Sequence, residues 1–226
     1  MSVHLDVRRH SELFDPYTFT TPIHVIGVGA TGSWLVLQLA KLGIDGNLIN
    51  AWDFDTVEAH NIPNQAYANW HIGEPKVKAL HGFVLNNTST HIKVHNEKYE
   101  NQRLSGIVFL MVDSMSERKR IWEQSIKMKS AVKLLIEPRM GLDVARVYNV
   151  NPTDIEQVEK YEACFYSDEE AEVSACGTSL TVITSAMVTA SWCTRQLLNF
   201  HQNEETLDNE ILIDYKFNNI VATRWS

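Results

Sequence analysis

Apolar and polar positions along this chain change period several times, and the changes divide it into alternating elements. Ile23, Val25 and Ile26 form a short apolar run ending at Gly27, and a helical pattern of Trp34, Leu35, Leu37, Leu39 and Leu42 opens at Ser33. Residues 47–52 form a second apolar segment, followed by Asp53 and Asp55. Val77, Leu80 and Val84 share one face of a helix predicted over residues 74–85, and residues 92–95 read as a short strand. Residues 106–112 are almost continuously apolar over strand length, as expected of a strand buried on both faces of a parallel sheet. Residues 116–129 read as a polar helix with Ile121, Trp122 and Ile126 inward, and residues 132–136 and 144–150 as further strands. A long helix follows over residues 180–199. Residues 211–215 and 220–224 pair as a terminal hairpin through Asn218 and Asn219.

This alternation predicts an α/β fold: a doubly wound, Rossmann-like, mostly parallel sheet with helices on both faces and a C-terminal antiparallel hairpin. One domain is expected over residues 1–226, with residues 1–20 as a polar N-terminal arm or short helix before the first strand. Residues 151–178 break the pattern. They are acidic at Asp168, Glu169, Glu170 and Glu172, carry Tyr161, Phe165 and Tyr166, and lack a clear period. Long irregular segments of this kind are usually functional or mobile.

Composition narrows the class. With 226 residues and 44% apolar content the chain can bury a real core. A formal charge of −8 and the lack of any dense Lys/Arg run argue against a nucleic-acid partner. The longest apolar run, residues 107–112, is far too short to span a bilayer, and the polar N-terminus has no signal-peptide core, so no membrane association is expected. Three widely spaced cysteines, Cys164, Cys176 and Cys193, do not suggest a disulfide framework and point to a reducing, cytoplasmic setting. No C-x-x-C pair is present to build a four-cysteine zinc site.

The candidate chemistry starts at Gly27, Gly29 and Gly32, spaced as Gly-x-Gly-x-x-Gly between a predicted strand and a predicted helix. The first glycine allows a tight turn, the second lets backbone approach a phosphate, and the third lets helix and strand pack closely. NAD, FAD and other nucleotides all use such a turn, and a tight turn without a ligand has the same spacing. Asp53, ending the second strand, is where a ribose hydroxyl is held in such folds. Polar groups then continue through Asp55, Glu58, His60, Asn61, Asn64 and Gln65, more than a nicotinamide enzyme needs. Lys76 opens a helix, where a cation opposes the helix dipole. It suits an anionic phosphate, or it is a solvated surface lysine. Asp113 ends the buried strand, where a carboxylate can hold Mg²⁺ beside phosphates or cap the next helix.

The ordered set Gly27-x-Gly29-x-x-Gly32, Asp53-Phe54-Asp55-x-Val57, Asn61, Gln65, Gly73-x-x-Lys76 and Asp113 resembles the ThiF/MoeB/HesA family, adenylating enzymes related to the ubiquitin-activating enzymes. The resemblance runs from Arg8 to about Asn199. It implies ATP on the glycine loop, ribose on Asp53, phosphates lined by Asn61 and Gln65, the triphosphate neutralised by Lys76, and Mg²⁺ on Asp113. It further implies activation of a carboxylate as an acyl-adenylate with release of pyrophosphate. The carboxylate is often the C-terminus of a ubiquitin-like protein, and acceptors across the family also include peptide carboxylates and a modified tRNA base. Residues 151–178 match the family's crossover loop. Cys176 falls where the family has a cysteine that takes the acyl group, with Cys164 a second candidate. Arg9, with Arg8 beside it, matches an arginine that reaches the partner's phosphates across a homodimer.

The chain departs from the family pattern at three points. Asn64 stands where the family usually has arginine, a loss of a phosphate contact that typically costs about 3 kcal/mol, roughly a hundredfold in rate. The zinc-binding cysteine pairs are absent. The run after Cys176, C-G-T-S-L-T-V-I-T-S-A-M, resembles a shortened phage- or operon-type branch. The leading expectation is an ATP-dependent adenylyltransferase acting on the C-terminus of a small partner protein. The alternative is a weakly active nucleotide-binding subunit of a heteromeric complex. A nicotinamide-dependent oxidoreductase has no use for Asn61, Gln65, Lys76 and Asp113 together.

Overall fold

The computed structural model describes residues 5–168, 181–202 and 207–225. Strands β1 (Ile23–Ile26), β2 (Ile49–Trp52), β3 (Lys93–His95), β4 (Gly106–Leu110), β5 (Val132–Met140), β6 (Val144–Val150), β7 (Glu210–Asp214) and β8 (Asn219–Thr223) form one sheet in the order β3-β2-β1-β4-β5-β6-β7-β8. The first five are parallel, and β6, β7 and β8 add on in antiparallel fashion. The chain winds outward from β1 to β3, then returns to the other side of β1 at β4. The ends of β1 and β4 therefore border the switch point, where open α/β sheets bind ligands.

Alternation along the strands explains why both faces are covered. Ile23, Val25, Ile107 and Phe109 pack with Leu35 and Leu39 of α1 (Ala30–Lys41), Val77, Leu80 and Val84 of α2 (Lys76–Thr88), and Cys193 and Leu197 of α5 (Ile183–Gln202). Ile26, Val108 and Leu110 point the other way, onto Ile121 of α3 (Met115–Ile121), Trp122, and Val158 and Tyr161 of α4 (Ile155–Ala163).

Several elements differ from the sequence reading, each for a local reason. α1 begins at Ala30 rather than Ser33, because its first turn is the glycine turn itself, with Gly29 as N-cap. α3 stops at Ile121 and passes into a π-type turn over Trp122–Ile126, where Lys127 N–H donates to the Trp122 carbonyl at 2.8 Å. β5 runs four residues past Ile136, through Pro138, because β4 has ended there and the proline faces no ladder acceptor on that side. Residues 151–178 are not wholly irregular. They contain α4, capped by Asp154, whose carboxylate accepts from Gln157 N–H, and its apolar face of only Val158 and Tyr161 is too short to register as a period. The hairpin turn lies at Tyr215 to Asn218, with Asn218 left-handed at φ 53° and Asn219 already in β8. The N-terminal segment is not simply a polar arm, since Phe14 and Phe19 are buried and meet the His201 ring at 5.2 and 5.5 Å.

One sheet face carries an unusual polar row. No helix joins β3 to β4, and on that side His24, Asn50, Trp52 and His95 occupy adjacent strands. The Trp52 and His95 rings stack at 3.6 Å and 7°. His24 is 7% exposed, and its Nδ1 has no hydrogen-bond partner. Burial, then the charges of His95 and Lys93, lower its pKa to about 4. His24 is thus neutral in the folded chain, whereas the unfolded chain takes up a proton below about pH 6.5. Its contribution is present above that pH and is lost as pH falls toward 4, a change on the order of 1–3 kcal/mol. Urea unfolding should show stability falling between pH 6.5 and 4, and His24→Leu should flatten that part of the profile. An unchanged slope in the variant would place the acid sensitivity elsewhere.

Candidate active site

The three glycines divide their work as their spacing predicts. Gly27 adopts φ +92°, and a Cβ there would lie 2.7 Å from the Met111 carbonyl oxygen at the end of β4. A Cβ on Gly32 would lie 2.1 Å from the Gly27 carbonyl oxygen, so helix and turn touch backbone to backbone. Gly29 has nothing within 4 Å of its Cβ position and opens onto a cavity. The N–H groups of the first turn of α1 have no intrahelical acceptors, which suits an anion there.

Asp53 ties this turn to β2. One carboxylate oxygen accepts from Val28 N–H at 2.8 Å and the other from Asp55 N–H at 2.9 Å. Tyr67, buried beneath, donates its hydroxyl to the Val28 carbonyl at 2.7 Å. Burial raises the Asp53 pKa, against the opposing pull of Lys76 and the two amides. Asp53 itself lines the cavity, and each of its carboxylate oxygens can accept more than one hydrogen bond.

Lys76 is no solvated surface lysine. It is 8% exposed, and its ammonium bonds the Asp55 carboxylate at 2.8 Å while its backbone N–H donates to the Asp55 carbonyl at 2.8 Å. Asn61 is buried, and its Oδ1 accepts from Glu58 N–H at 2.9 Å, while its backbone carbonyl accepts from Asn64 N–H at 3.3 Å and from Gln65 N–H at 2.9 Å. Gln65 Oε1 and Asn64 Oδ1 are both buried with no partner. Asn64 donates instead to the Thr181 hydroxyl. Unsatisfied amides beside an open glycine turn leave hydrogen-bonding capacity for a ligand. Asp113 is exposed at the end of the β4 strand and does not cap α3. The cap is Ser114, whose Oγ accepts from Glu117 N–H at 3.2 Å.

Gly27, Gly29, Asp53, Asp55, Asn61, Gln65, Lys76 and Asp113 all line one cavity of about 1670 Å³. Gly32 lies behind it, inside α1. The volume exceeds the few hundred to 1,000 Å³ usual for one small ligand, leaving room for a nucleotide and a second reactant. No group of three His, Cys, Asp or Glu residues is placed to hold a metal among the described residues. Mg²⁺ takes only one or two carboxylates where phosphates complete its shell, and Asp113 is one carboxylate on this cavity.

Arg118 and Arg139, which line the cavity, hold a buried carboxylate behind its wall that the sequence did not reveal. Glu137, 0% exposed, lies between two arginines: Arg118, which also donates to the Leu110 and Pro138 carbonyls, and Arg139, whose Nε bonds both carboxylate oxygens at 2.9 and 3.1 Å. The Tyr161 hydroxyl adds a bond to Glu137 at 3.1 Å, and the Arg139 guanidinium sits 4.5 Å from the Tyr148 ring centre. Burial works against the Arg139 charge, but Glu137 outweighs it and its pKa rises. Glu137 and Arg139 two residues apart share one strand face. In the sequence, a strand continued past Ile136 places both charges on one face. Asp168 accepts from the Met115 and Ser116 N–H groups, joining the segment after α4 to the turn that carries Asp113.

The other candidates separate. Cys164 lines the cavity, and burial raises its thiol pKa, so desolvation disfavours its thiolate more than the neighbouring acidic residues do. Cys193 is buried in the core. Arg8 pairs with Asp6 at 2.6 Å, and Arg9 is exposed outside the cavity lining. Cys176 lies outside the described residues.

A ThiF family model matches residues 18–224, almost the whole chain. This chain belongs to the ThiF family. No curated protein sequence matches it significantly. Among solved structures it is similar to PaaA, with TM-score 0.69 and 19% identity over 91% of this chain and 64% of that one. It is also similar to Escherichia coli MccB with MccA-N7isoASN, with TM-score 0.70 and 16% identity, and to MccB with ATP, with TM-score 0.68 and 16% identity. Each MccB comparison covers 92% of this chain and 64% of MccB. The chain thus spans less than two thirds of the length of these structures. At such identities they share a fold with this ThiF-family chain, including the doubly wound sheet expected from its sequence.

Two glycine substitutions separate folding from binding. Gly32→Ala should lower stability by about 3 kcal/mol or more, read as a large fall in Tm, because two backbones cannot part freely. Gly29→Ala should leave Tm nearly unchanged, and if the cavity takes ATP it should weaken that binding in calorimetry at least tenfold. Equal thermal effects of the two would mean that Gly29 is packed rather than open.

Proposed function

We propose that this chain is an ATP-dependent adenylyltransferase that activates the C-terminal carboxylate of a small peptide or protein. The carrying observation is the convergence of Gly29, Asp53, Lys76 and Asp113 on one cavity at the switch point of the sheet. Family membership supports the reading, and similar structures are those of MccB with ATP and with MccA.

In this reading the glycine turn and the start of α1 receive the phosphates, Asp53 the ribose, and Asn61, Gln65 and Lys76 the triphosphate, with Asp55 holding Lys76 in place. Asp113 would hold Mg²⁺, which supplies charge neutralisation. A carboxylate oxygen of the substrate attacks the α-phosphorus, the bond to the bridging oxygen of the β-phosphate breaks, and that oxygen leaves with the electron pair as pyrophosphate. The protein's contribution is positioning and charge complementarity. A ubiquitin-like substrate, a homodimer with Arg9 acting in trans, and acyl transfer to Cys176 extend the same proposal.

A second reading is a nucleotide-binding subunit with little turnover. Asn64 favours it, since an amide engaged with Thr181 supplies no cation where the family usually has arginine.

ATP–pyrophosphate exchange driven by a carboxylate substrate separates these readings. Lys76→Ala and Asp113→Asn should each reduce exchange about a hundredfold or more, with Tm little changed for the exposed Asp113 and lowered for the buried, ion-paired Lys76, and Asp53→Ala should weaken ATP binding. Tight NADH binding without ATP binding would overturn the assignment. ATP binding with no exchange in any variant would favour the subunit reading. If acyl transfer follows, Cys176→Ala should keep exchange and lose any thiol-sensitive adduct.

A further inference from the structure

The cavity wall facing away from the glycine turn ends in an apolar lip. Leu142 in the β5–β6 turn, Val144 at the start of β6, and Val182 and Ile183 at the start of α5 all line the cavity, yet each is 37–41% exposed. Met187, one helical turn beyond Ile183, is exposed to the same degree and lengthens the stripe. Isolated exposed aliphatics are ordinary, but a contiguous set on a cavity mouth marks an interaction site.

The lip is held in shape. Gly141 N–H donates to the Val144 carbonyl at 2.8 Å and closes the turn. The Ser185 hydroxyl donates to the Leu142 carbonyl at 2.9 Å, and Tyr215 N–H to the Asp143 carbonyl at 2.7 Å, so β5–β6, α5 and the strand end at β7 brace one another. A surface fixed in this way loses little freedom when it is covered. Beyond it, the Arg146–Glu210 ion pair forms a polar rim on the same cavity.

The position of the lip says what would cover it. It is continuous with the candidate active site through Met140 and Gly141, which line the same cavity as Asp113 and Gly29. The reacting carbon must lie near the gap between β1 and β4. β6 is about two and a half strand spacings from that gap, roughly 12 Å at about 4.8 Å per strand. An extended chain covers this in three to five residues at about 3.3 Å each.

Resting on the adenylating reading, we propose that this lip selects the substrate by seating an apolar side chain three to five residues before the carboxylate that is activated. The occupant is the extended C-terminal tail of the substrate. Leu142, Val144, Val182 and Ile183 determine specificity and take no part in the chemistry.

The test uses the full chain with the α,β-methylene analogue of ATP, which blocks turnover. Peptides of eight residues with free C-termini, randomised over the last six positions, are selected for binding. Leu, Ile, Val, Met or Phe should be enriched at the third to fifth positions from the end. A selected peptide and its copy with serine at that position should differ in Kd by about tenfold or more. In Leu142→Ser/Ile183→Ser that ratio should fall toward one, and Leu142→Met/Ile183→Leu should restore it. Absence of enrichment at those positions, or a ratio that survives the serine variant, overturns the proposal. So does a serine variant that alters only the oligomeric state in light scattering, because the lip is then a contact between copies of this chain. Calorimetry of the unaltered protein with ATP alone separates the two levels. Failure to bind ATP removes the adenylating reading, whereas ATP binding without an apolar preference removes only the role of the lip.

Discussion

The site depends on a backbone contact that no side chain permits. Gly32 lies against the carbonyl of Gly27, and Gly27 against the carbonyl of Met111, so the turn after β1 is pressed onto both the start of α1 and the end of β4. Asp53 adds the third tie by accepting the Val28 N–H from the end of β2. Three strand ends and one helix start are thereby held as a unit. Gly29, the one glycine of the three left open, is presented to the cavity by the other two.

The opposite half of the cavity is held by charge. Glu137 has no access to solvent, and an unpaired buried carboxylate would be strongly destabilising. Arg118 from α3 and Arg139 from the same strand satisfy it, with Tyr161 from α4 completing the shell. A buried ion pair of this kind is weak evidence for stability, but losing either partner leaves an uncompensated charge. Its effect here is geometric. It joins α3, β5 and α4 at the level where β4 ends, and it sets the wall from which the β5–β6 turn projects.

Lys76 shows how one interaction can serve fold and site together. A cation at a helix start opposes the dipole, and burial would oppose it further. The Asp55 carboxylate offsets both, so the ammonium is held at the cavity edge while mostly shielded from solvent. Asn64 shows the reverse case. Its amide turns to Thr181, at the start of the segment leading into α5, and links two parts of the chain instead of presenting a charge.

The strands, their alternation with helices and the glycine turn were legible because apolar period and glycine spacing are local properties of the chain. Gly27, Gly29, Gly32, Asp53, Lys76 and Asp113 were legible as candidates for the same reason, since each falls at a strand end or helix start that the pattern marks. The helix after β6 was not, because two buried residues make no period. The Glu137 pair was not, because the apolar run that marks the strand ends at Ile136 while the strand itself continues to Met140 beside a single neighbour. What only the tertiary structure decided is which groups meet: that Lys76 is paired with Asp55, that Ser114 rather than Asp113 caps α3, and that Leu142 and Ile183, 41 residues apart, form one lip. These depend on strand order and on contacts between distant segments, where geometry and desolvation set the outcome and the period of a single segment carries no information.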